Sequence, residues 1–434
     1  MINFASHQPW IAQVTSSPPL SSHEASGMTN SAVGADQLAQ WRRETPGCAN
    51  RNHMNNAGAA LVPQPVLDTC IEHLQLEAEI GAYEAADARR NEVDQTYRDV
   101  SALVGARPDN IALVANATAA FIQAMSSFDF APGDVIVTTR ADYTSYQITF
   151  LSLAKRLGVR IEHAEDLPEG GVDPDSVRKL ARDPKCRLVH VSWVPTHSGI
   201  IQDAESVGDV CDDLGVPYLL DACQAVGQIP IDVNRLKCDY LSATARKFLR
   251  GPRGVGFLYA SDRALARGDH PLFVDMRGAK WIAPDEYEIA QTAIRYEDWE
   301  FSYALVLGLG AAARYALQAG IDVTGDRAFA LARRARERLS ALPGVHVLDG
   351  GRQQCAIVTA SVDNLDARDL VKDLSRQRIN TAASLKWYGL LDFTEKHVES
   401  AIRISPHYYN TEEEVDLVVN AVGRAVHARA GSTG

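Results

Sequence analysis

The sequence of 434 residues lacks the features of several classes of protein. Its seven cysteines are scattered singly without a C-x-x-C pair, which argues against a disulfide framework or zinc site and indicates reduced thiols in a cytoplasmic protein. Acidic residues outnumber basic ones, and the net charge of -12 argues against nucleic acid or an anionic membrane as a partner. The longest apolar runs are far shorter than a membrane span. We therefore expect a soluble cytoplasmic protein that binds no metal, nucleic acid or membrane.

Length and composition divide the chain into three parts. The chain exceeds the usual size of a single core, so we expect two domains. Residues 1–45 are rich in Ser, Pro, Thr and Asn, without the apolar core of a secretory signal or the arginine-rich face of a transit peptide. We expect a loosely ordered arm there, with Met28 as a candidate natural start. Residues 46–300 are predicted to form a large domain, and 301–434 a small C-terminal domain preceded by a long connecting helix, Tyr303–Gln318.

Helical and strand-like segments alternate from Ala59 onward. Helical periodicity covers Val66–Glu79 and Glu84–Val104. Strand-like runs follow at Ile111–Ala115, Val135–Thr139, Leu188–Val194, Tyr218–Leu220, Tyr240–Ser242 and Val255–Tyr259. Apolar strands that alternate with helices indicate an α/β fold with a mostly parallel sheet covered on both faces. Ligands of such sheets bind beyond the carboxyl ends of the strands. The polar residues just past these ends are Asn116, Tyr143, Thr196, Asp221 and Thr244.

Lys247 is the most informative residue, because of what surrounds it. It follows a short apolar and hydroxylic run and precedes the turn Gly251–Gly254, which places it at a strand end. Asp221 ends the apolar run Val216–Leu220. A lysine and a carboxylate at the ends of neighbouring strands are what pyridoxal phosphate requires. The amine forms a Schiff base, and the carboxylate keeps the pyridine nitrogen protonated. We therefore expect a pyridoxal-phosphate enzyme with Lys247 as its catalytic residue.

Asn116–Thr118 is a candidate phosphate site. The segment lies between a strand and a helix, where backbone N–H groups and the helix dipole can receive a dianion.

Five motifs, taken in order, resemble the class V aminotransferase family of fold-type I pyridoxal-phosphate enzymes. This family includes cysteine desulfurases, isopenicillin N epimerase-like proteins and ergothioneine-pathway C–S lyases. The motifs are Asn116–Thr118, Asp221–Gln224, Ser242–Lys247, Gly251–Gly254 and Arg403–Asn410. The resemblance runs from about His53 to about Ala428. It implies a large cofactor-binding domain, a smaller C-terminal α/β domain, and a homodimer with shared active sites.

The same resemblance implies the contacts of the cofactor. The phosphate contacts are Asn116, Ala117, Thr118, Thr244 and Arg246, the last where many relatives have histidine. An arginine there can bind phosphate bidentately. The ring contacts are Tyr143 on one face, Cys223 on the other, and Thr196 and Gln224 at the phenolic oxygen. His197, next to Thr196, is interpreted as a hydrogen-bonded wall rather than as an acid.

The resemblance also implies how an amino-acid substrate binds. Arg403 matches the arginine that holds the α-carboxylate, a task suited to the guanidinium fork. Asn56 and Gly58 match the N-terminal segment that lines the same pocket, and the missing side chain of Gly58 permits close approach of the backbone.

Two departures from the family pattern narrow the range of reactions that we expect. Cysteine desulfurases carry a mobile cysteine roughly thirty residues or fewer before the carboxylate-binding arginine. Here Cys355 lies forty-eight residues before Arg403, in a run that predicts a strand, and no cysteine follows it. In the second departure, Arg295–Phe301 lacks the Gly–Thr of many relatives, so Trp299 and Glu300 are predicted to shape the partner subunit's pocket instead.

Three functions remain, of which we favour C–S β-elimination from a cysteine S-conjugate. The segment Glu77–Tyr83 resembles the ergothioneine-type lyases and carries this preference. The alternative is an aminotransferase or amino-acid epimerase of the same family. A non-catalytic regulator is disfavoured, because Lys247, Asp221 and Arg403 are all present.

Overall fold

A computed structural model describes residues 33–430. The candidate start at Met28 and most of the expected N-terminal arm lie outside the described residues. Residues 35–43 correct the expectation of a loosely ordered arm, because they form a helix whose Trp41 is buried against Tyr408 and Tyr409. The apolar side chains of this helix share one face, and burying them stabilises the segment.

The helices and strands of the described residues are these. The helices are α1 (Ala35–Arg43), α2 (Gln64–Ile80), α3 (Ala82–Ala88), α4 (Arg90–Val104), α5 (Ala117–Met125), α6 (Thr144–Leu157), α7 (Pro174–Ala181), α8 (Ala204–Leu214), α9 (Val233–Leu236), α10 (Asp262–Ala266), α11 (Tyr303–Ala319), α12 (Ile321–Ser340), α13 (Ala367–Arg376), α14 (Leu390–Glu395) and α15 (Glu412–Ala430). The strands are β1 (Asn52–His53), β2 (Ile111–Val114), β3 (Val135–Thr139), β4 (Arg160–Ala164), β5 (Cys186–Ser192), β6 (Tyr218–Asp221), β7 (Tyr240–Thr244), β8 (Gly256–Ala260), β9 (Ala279–Ala283), β10 (Glu286–Ile289), β11 (Val345–Val347), β12 (Val358–Val362), β13 (Ile379–Asn380), β14 (Ala382–Leu385) and β15 (Ser400–Ile404).

The larger sheet is mostly parallel. Its strand order is β2-β8-β7-β6-β5-β3-β4, and only β8 runs antiparallel to its neighbours. The strands β2, β3, β6, β7 and β8 are buried along their whole length, as expected of a sheet covered on both faces. The strands preceding Asn116, Tyr143, Thr196 and those ending at Asp221 and Thr244 run in the same direction, so all five residues meet at one edge.

A second, antiparallel sheet has the order β11-β12-β15-β14 and its own apolar core with α12 and α15. β1 pairs with β13 beside it, which brings the segment before residue 60 to the C-terminal part of the chain. Helix α11 packs its apolar side chains against α4, in the core around the larger sheet. The domain boundary at residue 300 stays a prediction.

Three local expectations need correction. The helix predicted over Glu84–Val104 is two helices, because Arg89 leaves helical backbone at φ -104° and ψ 18°. Strand β4 was not predicted, because this edge strand mixes charged and apolar residues and lacks the apolar run that marks the buried strands. Cys355 lies outside any strand, although it is buried and its N–H donates to Gly199 O at 2.8 Å.

Within residues 33–430, no single helix is long and apolar enough to cross a membrane. Helices α11 and α12 meet the required length and apolar composition only when they are taken together, and the chain bends by 81° between them.

Candidate active site

The carboxyl edge of the larger sheet opens into a pocket of about 150 Å³. It is lined by every residue that the sequence predicted to contact the cofactor: Asn116, Ala117, Thr118, Tyr143, Thr196, Asp221, Cys223, Gln224, Thr244, Arg246 and Lys247. Their individual roles remain predictions. Two further residues of the lining, Tyr146 and Val194, were missed. Tyr146 lies three residues after Tyr143, the N-cap of α6, and this helical spacing is the signal that could have found it.

One end of the pocket is built for an anion. Asn116 is the N-cap of α5, and its Oδ1 accepts from Ala119 N at 2.9 Å. The first N–H groups of a helix have no partner within it, so those of Ala117 and Thr118 are available to a ligand. Arg246 adds a guanidinium that donates to Gly58 O. Burial, followed by the neighbouring cation Arg253, lowers the pKa of Arg246. Amide, hydroxyl and guanidinium donors are the set that suits a phosphate dianion.

Lys247 and Asp221 lie buried at the centre of the pocket, with exposed fractions of 7% and 5%. Within the described part of the chain, Lys247 Nζ makes no hydrogen bond or ion pair, whereas the carbonyl oxygen of Lys247 accepts from Arg250 N at 2.9 Å. Burial lowers the pKa of Lys247, against the opposing charges of Cys223 and Asp221. Burial raises the pKa of Asp221, while Lys247 and the N–H of Cys223 act to lower it. A lysine with a lowered pKa supplies the neutral amine that a Schiff base needs.

Gln224 and Thr196 form a hydrogen-bonded pair between the two ends of the site. Gln224 Nε2 donates to Thr196 Oγ1 at 3.2 Å and to Ala57 O at 3.1 Å. Gln224 Oε1 is buried without a hydrogen-bond partner among residues 33–430. Because a buried polar atom is rarely left unpaired, this atom indicates that the pocket receives a polar ligand. The donor set and this atom fit pyridoxal phosphate.

Arg403 projects from β15 toward the same pair. Its Nη1 donates to the carbonyl oxygen of Thr196 at 2.8 Å and to Thr196 Oγ1 at 2.9 Å, and Nη2 donates to Asn55 Oδ1 at 3.2 Å. Burial, followed by the cation Arg246, lowers the pKa of Arg403 to about 10. No carboxylate pairs with this guanidinium in the described ranges, and its buried Nε has no partner there. A buried cation without a counter-charge favours an anionic ligand.

The N-terminal segment contributes Asn55 where the sequence indicated Asn56. Asn56 Nδ2 donates to Ser405 O at 2.7 Å, and its Oδ1 accepts from Tyr409 OH at 2.5 Å, so the amide is committed within the protein. A substrate contact of Asn56 stays a prediction, but Asn55 is the residue that contacts Arg403. Gly58 is tightly enclosed, because a Cβ there would lie 2.6 Å from Asn55 Oδ1.

His197 forms a buried wall beside the site, but not a hydrogen-bonded one. Neither ring nitrogen makes a hydrogen bond within residues 33–430, and Nε2 lies 3.5 Å from Asp392 Oδ2. Burial lowers the pKa of His197 to about 4, so the ring is neutral near pH 7. The wall continues into the segment before β15, where a Cβ on Gly389 would lie 2.5 Å from the imidazole and Thr144 Oγ1 donates to Tyr388 O at 2.7 Å.

The fold and the pocket define a fold-type I pyridoxal-phosphate enzyme. The family model described as aminotransferase class-V matches residues 53–418, so the chain belongs to that family. The fold class and the cofactor expected from the sequence are thereby confirmed.

The individual relatives have low sequence identity to this chain. The chain is 25% identical over 385 residues to a probable cysteine desulfurase of Methanothermobacter thermautotrophicus, covering 87% of this chain and 95% of that protein. It is 27% identical over 406 residues to a probable hercynylcysteine sulfoxide lyase of Mycobacterium tuberculosis, covering 93% and 97%. A solved structure of a C-DES mutant, with glycine covalently linked to its pyridoxal-phosphate cofactor, matches with a TM-score of 0.78 at 24% identity and covers 88% of this chain and 98% of that one.

Proposed function

We propose that this protein is a C–S β-lyase that cleaves a cysteine S-conjugate. With one water, the conjugate yields a thiol, pyruvate and ammonia, and no sulfur passes to a cysteine of the chain. The observation that carries the proposal is the position of the thiols. No cysteine follows Cys355 in the sequence. The segment that packs against Thr144 and His197, residues 386–395, presents the aromatic side chains of Trp387 and Tyr388 and no thiol.

The two thiols that a sulfur relay would have to use are unsuited to it. Cys355 is fully buried, and burial raises its pKa to about 12. Cys223 lines the pocket, but burial and the neighbouring Asp221 raise its pKa far above the ordinary value. Since the thiolate is the nucleophile, neither residue is a good sulfur acceptor. The relative described as a probable hercynylcysteine sulfoxide lyase supports an S-substituted cysteine as the substrate class.

Each of the following residues of the pocket has its own role in the proposed mechanism. When bound, pyridoxal phosphate supplies an electron sink for the carbanion at Cα. Asp221 would hold the ring nitrogen protonated, and Thr118, Thr244 and Arg246 would hold the phosphate. Lys247 Nζ removes the Cα proton, a role its lowered pKa favours.

Arg403 fixes the substrate for this proton transfer by binding the α-carboxylate. Its Nη1 and Nη2 are already oriented by Thr196 and Asn55, so little side-chain freedom remains to be lost on binding.

A product assay tests the reaction. Purified protein is mixed with a panel of cysteine S-conjugates, cysteine and ordinary amino acids, and pyruvate, ammonia, other keto acids and amino-acid configuration are measured separately. A lyase gives thiol, pyruvate and ammonia in equal amounts. Stoichiometric keto acid with conversion of the cofactor to its amine form would reassign the protein as an aminotransferase, and inversion of configuration as an epimerase. A protein-bound persulfide found by mass spectrometry would contradict the proposal.

We also propose a homodimer with shared active sites. The segment 272–287 exposes large apolar side chains: Leu272, Phe273, Met276, Trp281, Ile282 and Tyr287. Trp299 lies beside this segment, since its N–H donates to Asp275 Oδ2 at 2.5 Å. A large exposed apolar surface favours association. Light scattering should report a dimer, and Trp299→Ala should lower activity without loss of bound cofactor, whereas Leu417→Ala, on the exposed part of α15, should not. A fully active monomer would refute the shared site.

A further inference from the structure

A buried carboxylate outside the pocket lining, Asp142, is surrounded by hydrogen-bond donors. It directly precedes Tyr143 and is only 2% exposed. The donors to Oδ2 are Thr138 Oγ1 at 2.7 Å, Gln147 Nε2 at 3.0 Å and His190 Nδ1 at 3.1 Å, and those to Oδ1 are Ser192 Oγ at 2.5 Å and Tyr143 N at 2.6 Å. Five donors around one carboxyl group favour its ionised form.

His190 is fixed by the same group. Its Nδ1 must carry the hydrogen, because an ionised carboxylate only accepts. The ring is fully buried, with its centroid 5.3 Å from that of Phe121, 5.1 Å from that of Tyr146 and 5.5 Å from that of Phe150. This aromatic enclosure leaves the imidazole in one orientation toward Asp142.

Ser192 connects this group to the cofactor pocket. It is the last residue of β5, and the sheet register places it opposite Asp221 on β6. Ser192 Oγ lies 2.5 Å from Asp142 Oδ1 and 3.4 Å from Asp221 Oδ2. A hydroxyl has one hydrogen to donate, so it can serve only one of the two carboxylates well. The shorter distance commits it to Asp142.

The pKa values of the two carboxyl groups differ in the direction that favours donation from Ser192 to Asp142. Burial acts to raise the pKa of Asp142, but the charge of His190 and the hydrogen bonds from His190, Ser192 and Thr138 bring it below the ordinary value. Burial raises the pKa of Asp221. The ionised form, which accepts the hydroxyl hydrogen, is therefore favoured more strongly at Asp142 than at Asp221.

We propose that Asp142, supported by His190, is a positioning residue for the cofactor: it holds the Ser192 hydroxyl hydrogen away from Asp221, so that the Asp221 carboxylate would be free to accept from the pyridine nitrogen. The inference rests on the role proposed above for Asp221. It assigns a function in cofactor chemistry to residues that do not line the pocket.

The test measures protonation of the ring nitrogen directly. The holoenzyme is reconstituted with pyridoxal phosphate labelled with nitrogen-15, and the resonance of the ring nitrogen is recorded. In Asp142→Asn the neutral amide is a poorer acceptor than Asp221, so the hydroxyl hydrogen should turn to Asp221. The resonance should then move toward that of unprotonated pyridine. Ser192→Ala removes the competing hydroxyl, so adding Asp142→Asn to it should produce no further movement.

Matched variants separate this inference from a structural effect. Thr138→Val removes one donor to Asp142 but leaves His190 and the other three donors in place, so Asp142 should stay ionised and the resonance should not change. If Asp142→Asn binds no cofactor, His190→Asn removes the charge and the donor that most favour the ionised form of Asp142, and it should give a smaller movement in the same direction. The inference would be overturned if the resonance did not move in Asp142→Asn and His190→Asn, or if Asp142→Asn moved it equally with and without Ser192. If Asp221→Asn itself leaves the resonance unmoved, the role proposed for Asp221 fails instead.

Discussion

The cofactor side and the substrate side of the pocket are assembled in different ways. The cofactor side is built from the ends of neighbouring strands in one sheet, with Asp221 and Thr244 each closing a buried strand. The substrate side joins three segments far apart in the chain: residues 55–58, residues 196–197 and residues 386–403. Strand pairing therefore fixes the first side, whereas side-chain hydrogen bonds and close packing fix the second. Substitutions on the cofactor side should therefore affect cofactor binding, whereas those on the substrate side should affect KM.

The largest effect should come from the cofactor side. Lys247→Ala removes the amine that is proposed to bind the cofactor and to take the Cα proton, so turnover should fall by about 10³-fold or more. The visible absorbance of the lysine-linked cofactor should be lost, and borohydride reduction of the wild type followed by peptide mapping should label Lys247. Lys372→Ala, on the exposed face of α13, is the control and should change neither. Labelling of another lysine would remove the basis of the assignment.

The same difference explains what the sequence could predict. The residues predicted to hold the cofactor lie at or just after strand ends, and parallel strands bring such ends to one edge, so motif order was enough to place them together. On the substrate side, the choice between Asn55 and Asn56 depends on how this segment pairs with Ser405, which no local pattern reveals. Tyr146 and the pair formed by Asp142 and His190 were missed for a related reason. Burial and hydrogen bonding define their roles, and neither is visible in the spacing of residues.

On the substrate side, the next effect should come from Arg403. Arg403→Ala should retain the cofactor and its absorbance but lose a charge-assisted pair with the α-carboxylate. The expected cost is about 2 kcal/mol, or roughly 30-fold in KM. Arg403→Lys keeps the positive charge but lacks the bidentate guanidinium, so its KM should lie between those of the wild type and of Arg403→Ala. Steady-state kinetics with a cysteine S-conjugate measures the change, and an unaltered KM would show that the carboxylate binds elsewhere.

A smaller effect should follow from Gly58→Ala. The added Cβ would lie 2.6 Å from Asn55 Oδ1, so Asn55 must move and its hydrogen bond to Arg403 is weakened. Losing one net hydrogen bond costs about 1 kcal/mol, or roughly fivefold in KM, while kcat changes less. Gly34→Ala is the matched control, because nothing lies within 4 Å of a Cβ there. If cofactor content fell as KM rose, the contact of Gly58 O with Arg246 would be the more important one, and the two sides would be less separate than proposed.

The smallest effect should come from Cys355→Ala, which tests whether either side uses a sulfur relay. Cys355 is fully buried, and its backbone bond to Gly199 O does not depend on the side chain. Turnover of a cysteine S-conjugate should therefore stay within about twofold of the wild type, while removal of a buried sulfur lowers the free energy of unfolding by about 1 kcal/mol. Pyruvate release and a thermal melt measure the two quantities on the same preparation. Retained stability with abolished turnover would mean that Cys355 takes part in the reaction, and the protein would then be a sulfur-transferring desulfurase rather than a β-lyase.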